Sequence, residues 1–285
     1  MRGISKFSFL PVLALGFAPL AFADGWTIYN TIPNSLPPNL PSEPYQANSS
    51  GEFGGLIQFA GNSPSYTLTS ATVAMSDWAL ASDWTPNGTT ITASGFYVPL
   101  TLNLYDVSAN NTVGALLASD SVDAFIPWRP PASAGCTGGA YLGSNGSCYN
   151  GSLSTVTFDL TGVTAPDEII YGLAFNTTSN GTDPTGVDGP YDSLNFGLST
   201  SPPTVGSNPL PGTAYWETTN ASDYADHGAG GLGTFRQDTG WSPYSGAIDF
   251  DEPQPTPEAS SLLLFGTGLL ALAGIRLRKF KFARM

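Results

Sequence analysis

The chain has 285 residues, 22 of them acidic and nine basic. Only two basic residues, Arg129 and Arg236, fall between residues 24 and 254, a stretch that holds no lysine and every acidic residue except Glu258. Such a surface repels phosphate backbones, which excludes nucleic acid as a partner and makes cations the natural small ligands. The 33 glycines and 24 prolines disfavour helix, while 16 Phe, 12 Tyr and six Trp supply ample core, so the composition predicts folded β structure rather than disorder.

In chain order, Arg2 and Lys6 precede an apolar stretch, Phe7 to Phe22, that ends in Ala21-Phe22-Ala23. A positive start, an apolar run too short for a stable span and small residues at the end define a signal peptide over 1–23, with signal peptidase cutting after Ala23. The proline-rich leader "TIPNSLPPNLPSEPYQ", residues 31–46, is expected to lie extended on the surface. Period-two patterning follows. "TLTSATVAM" and "LSTVTFDL" alternate, and "FYVPLTLNLYDV" sends Val98, Leu100, Leu102 and Leu104 to one face, the mark of a half-buried strand. "EIIYGLAFNTT" is apolar enough to sit centrally. "MSDWALASDW", with its Asp77-Trp78 and Asp83-Trp84 pairs, offers the only helical-looking turn before the C-terminal span. Turn clusters such as "TPNG", "SANNT" and "NTTSNGTDPTG" separate the runs. Roughly ten strands with long connections and no repeat of fixed period predict an all-β, jelly-roll-like β-sandwich ectodomain over 24–254.

Cys136 and Cys148 are the two cysteines, and export would place them in an oxidising compartment, where they would close a small disulfide loop. Asp183, Asp188 and Asp192 in "DPTGVDGPYD" form a candidate calcium loop, since calcium takes carboxylate and carbonyl oxygens from flexible glycine-bearing loops. Asp223 and Asp226 beside His227, the single histidine, form a second such loop; neither has EF-hand spacing. His227 itself is expected on an exposed glycine-rich loop. Trp78, Trp84, Trp128, Trp216 and Trp241 are each readable as a sugar-stacking platform or as core. The N-x-S/T triplets at Asn48, Asn87, Asn176 and Asn180 are read as turns.

The chain closes with "PTPEASSLLLFGTGLLALAGIRLRKFKFARM". Ala259 to Ile275 is 17 uncharged residues, close to the lower limit of about 17–25 for a transmembrane helix. Arg276, Arg278, Lys279, Lys281 and Arg284 follow, and under the positive-inside rule they hold that end in the cytoplasm and the rest of the chain outside. Thr256-Pro257-Glu258-Ala259-Ser260-Ser261, the helix 259–275 and the basic tail 276–285 together resemble the PEP-CTERM sorting signal of exported bacterial proteins. Here Pro257-Glu258-Ala259 stands where that family has a Pro-Glu-Pro-like motif. The resemblance implies recognition by an exosortase, a membrane cysteine protease-transpeptidase acting near Glu258. "IYGLAFNTT", "GPYDSLNFGLS", "PGTAYWETTNASDY" and "GTFRQDTGWSPYSGAIDF" further resemble segments in a group of PEP-CTERM proteins with jelly-roll ectodomains, over roughly residues 100–250.

The expected function is therefore that of a non-enzymatic, exported cell-surface or extracellular-matrix protein, held in the membrane by its C-terminal helix and open to processing by an exosortase. No cofactor is implied apart from the calcium of the loops. The competing readings are a lectin-like carbohydrate-binding module acting on extracellular polysaccharide, with or without calcium, and a secreted glycoside hydrolase. For the hydrolase, no sequence motif singles out an acid pair.

Overall fold

The computed structural model describes residues 25–86 and 90–254. In chain order the strands are β1 (Trp26–Asn30), β2 (Ser42–Pro44), β3 (Ser50–Gln58), β4 (Ser65–Thr67), β5 (Ser70–Asp77), β6 (Gly95–Ser108), β7 (Thr112–Pro127), β8 (Tyr141–Leu142), β9 (Cys148–Tyr149), β10 (Ser152–Asp159), β11 (Thr164–Pro166), β12 (Glu168–Ala174), β13 (Leu194–Ser199), β14 (Thr213–Thr218), β15 (Arg236–Thr239), β16 (Ser245–Gly246) and β17 (Ile248–Glu252). The all-β expectation holds. There are more strands than the roughly ten expected because six of these are only two or three residues long, too short to leave a period-two pattern.

One sheet runs β1-β17-β5-β13-β16, with β10 also pairing β5 and β2 also pairing β13. The other runs β15-β14-β3-β12-β6-β7, each pair antiparallel. Their facing sides share the main core, to which the first sheet gives Val73, Phe196 and Phe250 and the second gives Phe53, Leu102 and Trp216. The alternation of β6 is seen directly: Val98, Leu100, Leu102 and Leu104 are buried, whereas Tyr97 and Pro99 are exposed. Pro99 has no N–H to give a ladder, and it lies where β6 pairs only β7, just before the β12 ladder begins at Thr101. The apolar β12 is central as expected, flanked by β3 and β6 and buried through most of its length.

Two expectations are corrected. The leader 31–46 does not simply lie on the surface. Its β2 pairs β13, and Tyr45 is fully buried, stacked on Phe175 with ring centroids 4.1 Å apart and donating its hydroxyl to the Leu173 carbonyl at 2.5 Å. In "MSDWALASDW" the first residues belong to β5 and Ala81–Asp83 makes the expected turn as 3-10 helix, but it is not the only one, since Ala109–Asn111 and Pro190–Ser193 are 3-10 turns as well.

The second sheet is strongly curled. Its edge strands β7 and β15 come into contact, and Phe235, beside β15, meets the Tyr105 ring of β6 at 5.4 Å. The sheet face turned away from the first sheet is therefore the inside of the curl. There Leu56, Ile170 and Tyr215 form a second small apolar cluster with Tyr105 and Phe235 packed on it.

Candidate functional site

Inside that curl the alternation of β3 places Glu52, Gly54 and Leu56 on the inner face, while Phe53 and Ile57 point to the main core. The register of β14 against β3 sets Glu217 directly opposite Glu52. Glu52 is 6% exposed and accepts hydrogen bonds from Asn103 Nδ2 at 3.0 Å and from the Tyr105 hydroxyl at 3.1 and 3.2 Å. Ser119 Oγ donates to Asn103 Oδ1 at 2.8 Å, which turns the amide so that its N–H faces the carboxylate. Gly172 makes room for this arrangement, since a Cβ there would run into Glu52 Oε1. Burial above all, with a smaller contribution from the nearby Glu217, pushes the Glu52 carboxyl up to about 7; burial also raises Glu217. These two acids escaped the sequence reading because only the register of β3 and β14 brings them together.

A second buried carboxylate, Glu43 of β2, accepts from Asn48 Nδ2 and Ser50 Oγ, and Ser50 Oγ in turn accepts the Trp216 indole N–H at 2.9 Å. This network fastens the leader to the core. A third, Asp77, accepts the main-chain N–H groups of Ala79 and Arg129 and fixes the turn that carries Trp78.

The expected calcium loop is organised by hydrogen bonds. Asp192 accepts from the N–H and hydroxyl of Thr178 and from the Gly189 N–H, capping the 3-10 turn Pro190–Ser193. Asp188 approaches the same Thr178 hydroxyl at 3.4 Å, whereas Asp183 is tied in through its N–H, which donates to Asn176 Oδ1 at 2.8 Å. Among the described residues no group of three or more His, Cys, Asp or Glu side chains is placed to hold a metal ion. In the other loop Asp226 pairs with Arg236 at 2.7 Å, and Asp223 accepts from Asn220 Nδ2 at 2.8 Å. His227 is exposed, with a left-handed φ of 54°. Cys136 and Cys148 are joined in a disulfide that closes the loop carrying β8 and β9. Asn180 donates to Gln46 Oε1 at 3.2 Å, so it and Asn176 act as loop fasteners; Asn87 lies outside the described residues.

The five tryptophans divide. Trp216 is buried, and Trp84, Trp128 and Trp241 pack against the main core. Trp78 is 44% exposed and lines a hollow of about 410 Å³ together with Ser42, Pro44, Asp192, Ser193 and Asn195. Trp26, outside that expectation, is 57% exposed on β1.

The signal peptide 1–23, the sorting motif Thr256, Pro257, Glu258 and Ala259, the helix 259–275 and the basic tail lie outside the described residues. Among the described residues no helix is long and apolar enough to cross a membrane. Residues 255–279 match the family described as the PEP-CTERM protein-sorting motif. The C-terminal segment thus carries a PEP-CTERM sorting motif, and the motif indicates exosortase-dependent sorting of an exported, membrane-associated protein. No curated protein and no solved structure matches the chain.

Proposed function

We propose that the chain is a non-enzymatic cell-surface or extracellular-matrix protein. Its jelly-roll-like ectodomain is exported by the signal peptide 1–23 and held by the helix 259–275, with Arg276, Arg278, Lys279, Lys281 and Arg284 on the cytoplasmic side. The observation that carries this reading is the sorting motif at 255–279. Exosortase acts near Glu258 and releases or transfers the ectodomain. The test is expression of the full chain in hosts with and without an exosortase. A smaller species that has lost residues 262–285 and appears only with the exosortase supports the reading. A chain of unchanged mass and location in both hosts refutes the processing step. Deleting 255–285 should send the ectodomain into the medium; continued retention in the membrane fraction would refute the anchor.

A second reading, glycan binding by the ectodomain, is favoured by Trp78, which is exposed beside a hollow whose mainly apolar wall also carries Ser42, Asp192, Ser193 and Asn195. Retention of the full chain by immobilised neutral polysaccharide tests it, and passage through every such matrix would count against it.

A further inference from the structure

We propose that the hollow beside Trp78 is a saccharide subsite that stacks one face of a neutral hexopyranose residue of a polysaccharide on the indole. This rests on the glycan-binding reading and gives it a place. The ring is held before any ligand arrives. Its N–H donates to Ser76 Oγ at 3.0 Å, and Ser76 Oγ donates to Asn39 Oδ1 at 2.7 Å. The Trp78 main-chain N–H donates to the Ser193 carbonyl at 3.0 Å, and its carbonyl accepts from Arg129 Nε at 2.9 Å. The indole nitrogen also packs where a Cβ on Gly151 would come within 2.5 Å of it, so a glycine there lets the backbone close against the ring. An aromatic side chain fixed in this way loses little freedom on binding.

The lining supplies what a sugar needs besides a flat apolar face. Ser42 and Ser193 bring hydroxyls, Asn195 an amide and Asp192 a carboxylate, in a hollow of about 410 Å³. Small-molecule sites run from about 300 to 1,000 Å³ and combine an apolar wall with a few convergent polar groups. Asn195 Nδ2 donates to Ser42 Oγ at 3.2 Å, leaving the amide oxygen and the serine hydroxyl proton for a ligand hydroxyl.

Charge decides the class of sugar. The two arginines of the described residues are committed, Arg129 to the Trp78 and Gly139 carbonyls and Arg236 to Asp226. An acidic sugar would meet the Asp192 carboxylate in a field with no free cation to receive it, so a neutral residue fits and a uronate does not.

The test uses the full chain in non-ionic detergent, run in native gels containing galactomannan, xyloglucan or dextran, with alginate as the polyanionic probe. At least one neutral polymer should retard the protein. Trp78→Ala should lose about tenfold or more in affinity, Trp78→Tyr should keep part of it, and Trp26→Ala, which removes the other exposed indole, should change nothing. Equal thermal midpoints establish that the variants are folded. Should Trp78→Ala lower the midpoint, Asn195→Ala, which leaves the indole in place, carries the test through its own loss of affinity. Undiminished binding by both variants overturns the subsite while glycan binding stands. Failure of every neutral polymer to retard the wild type overturns both, and retardation by alginate alone overturns the neutral ligand.

Discussion

Glu52 of β3 and Glu217 of β14 stand directly opposite one another in an antiparallel ladder, inside the curl of the second sheet. Side chains so placed have Cβ atoms about 4.5–5.5 Å apart, and two carboxylates at that range disfavour joint ionisation. The arginines, engaged with Asp226 and with loop carbonyls, do not compensate them. Burial is the main cause that raises both carboxyls, and Glu217 adds to the rise at Glu52.

The first prediction concerns pH. Burial holds the Glu52 carboxyl near 7 in the fold, against an ordinary value of 4.5. Between those values the folded state binds more protons than the unfolded one, so stability is fully present below 4.5, falls as pH rises and levels off above about 7. A shift of this size corresponds to something on the order of 3 kcal/mol. Glu43 and Asp77, each also raised to about 7 chiefly by burial, act in the same direction. The thermal midpoint should be higher at pH 5 than at pH 8, and Glu52→Gln should narrow that gap by raising the midpoint at pH 8. An equal loss at both pH values would refute the account.

Adjacent glycines of β3 should behave differently. A Cβ on Gly54 would run into the Tyr171 carbonyl of the neighbouring strand, a backbone atom that cannot step aside, whereas a Cβ on Gly55 would meet the Tyr171 ring at an ordinary 3.6 Å. Gly54→Ala should cost at least about 1–3 kcal/mol by overpacking. Gly55→Ala should stay within about 0.5 kcal/mol of the wild type. Urea midpoints of the two variants decide it, and equal effects would contradict the close strand approach.

Tyr45 makes the leader part of the fold. Tyr45→Phe keeps the stack on Phe175 and loses only the hydrogen bond to Leu173, which should cost about 1 kcal/mol. Tyr45→Ala also empties the ring site and should cost about 3–5 kcal/mol. A leader lying loose on the surface would make both substitutions silent in a melting experiment.

Asp192 is a structural cap of its loop. Asp192→Ala strands two N–H groups and a hydroxyl and should destabilise by about 1–3 kcal/mol, whether calcium or chelator is present. Asp183→Ala leaves the main-chain bond to Asn176 intact and should be nearly neutral. A midpoint that rises with added calcium and falls with chelator would restore a metal to this loop.

What could be read in advance follows the physics of each segment. Half-buried strands print their period, so the alternation from Val98 to Leu104 and the apolar run of β12 were legible. The burial of the leader was not, because β2 is three residues long and its proline-rich surroundings look the same whether or not another strand covers them. Nor could the tryptophans be sorted, since an indole serves equally as core filler and as exposed platform, and only the packing around Trp216 and Trp78 separates the two uses. Glu52 and Glu217 lie far apart along the chain and meet through a register that composition and periodicity do not encode.

Trp26 pairs with Glu252 in the ladder between β1 and β17, so the first and last strands share one corner. Chain entering the fold and chain leaving it pass side by side there. For a chain held by its C-terminal segment, as proposed, drag from moving fluid would be taken up by β17, an interior strand bonded to β1 on one side and β5 on the other. The load would then fall on backbone paired on both sides instead of peeling away a peripheral hairpin.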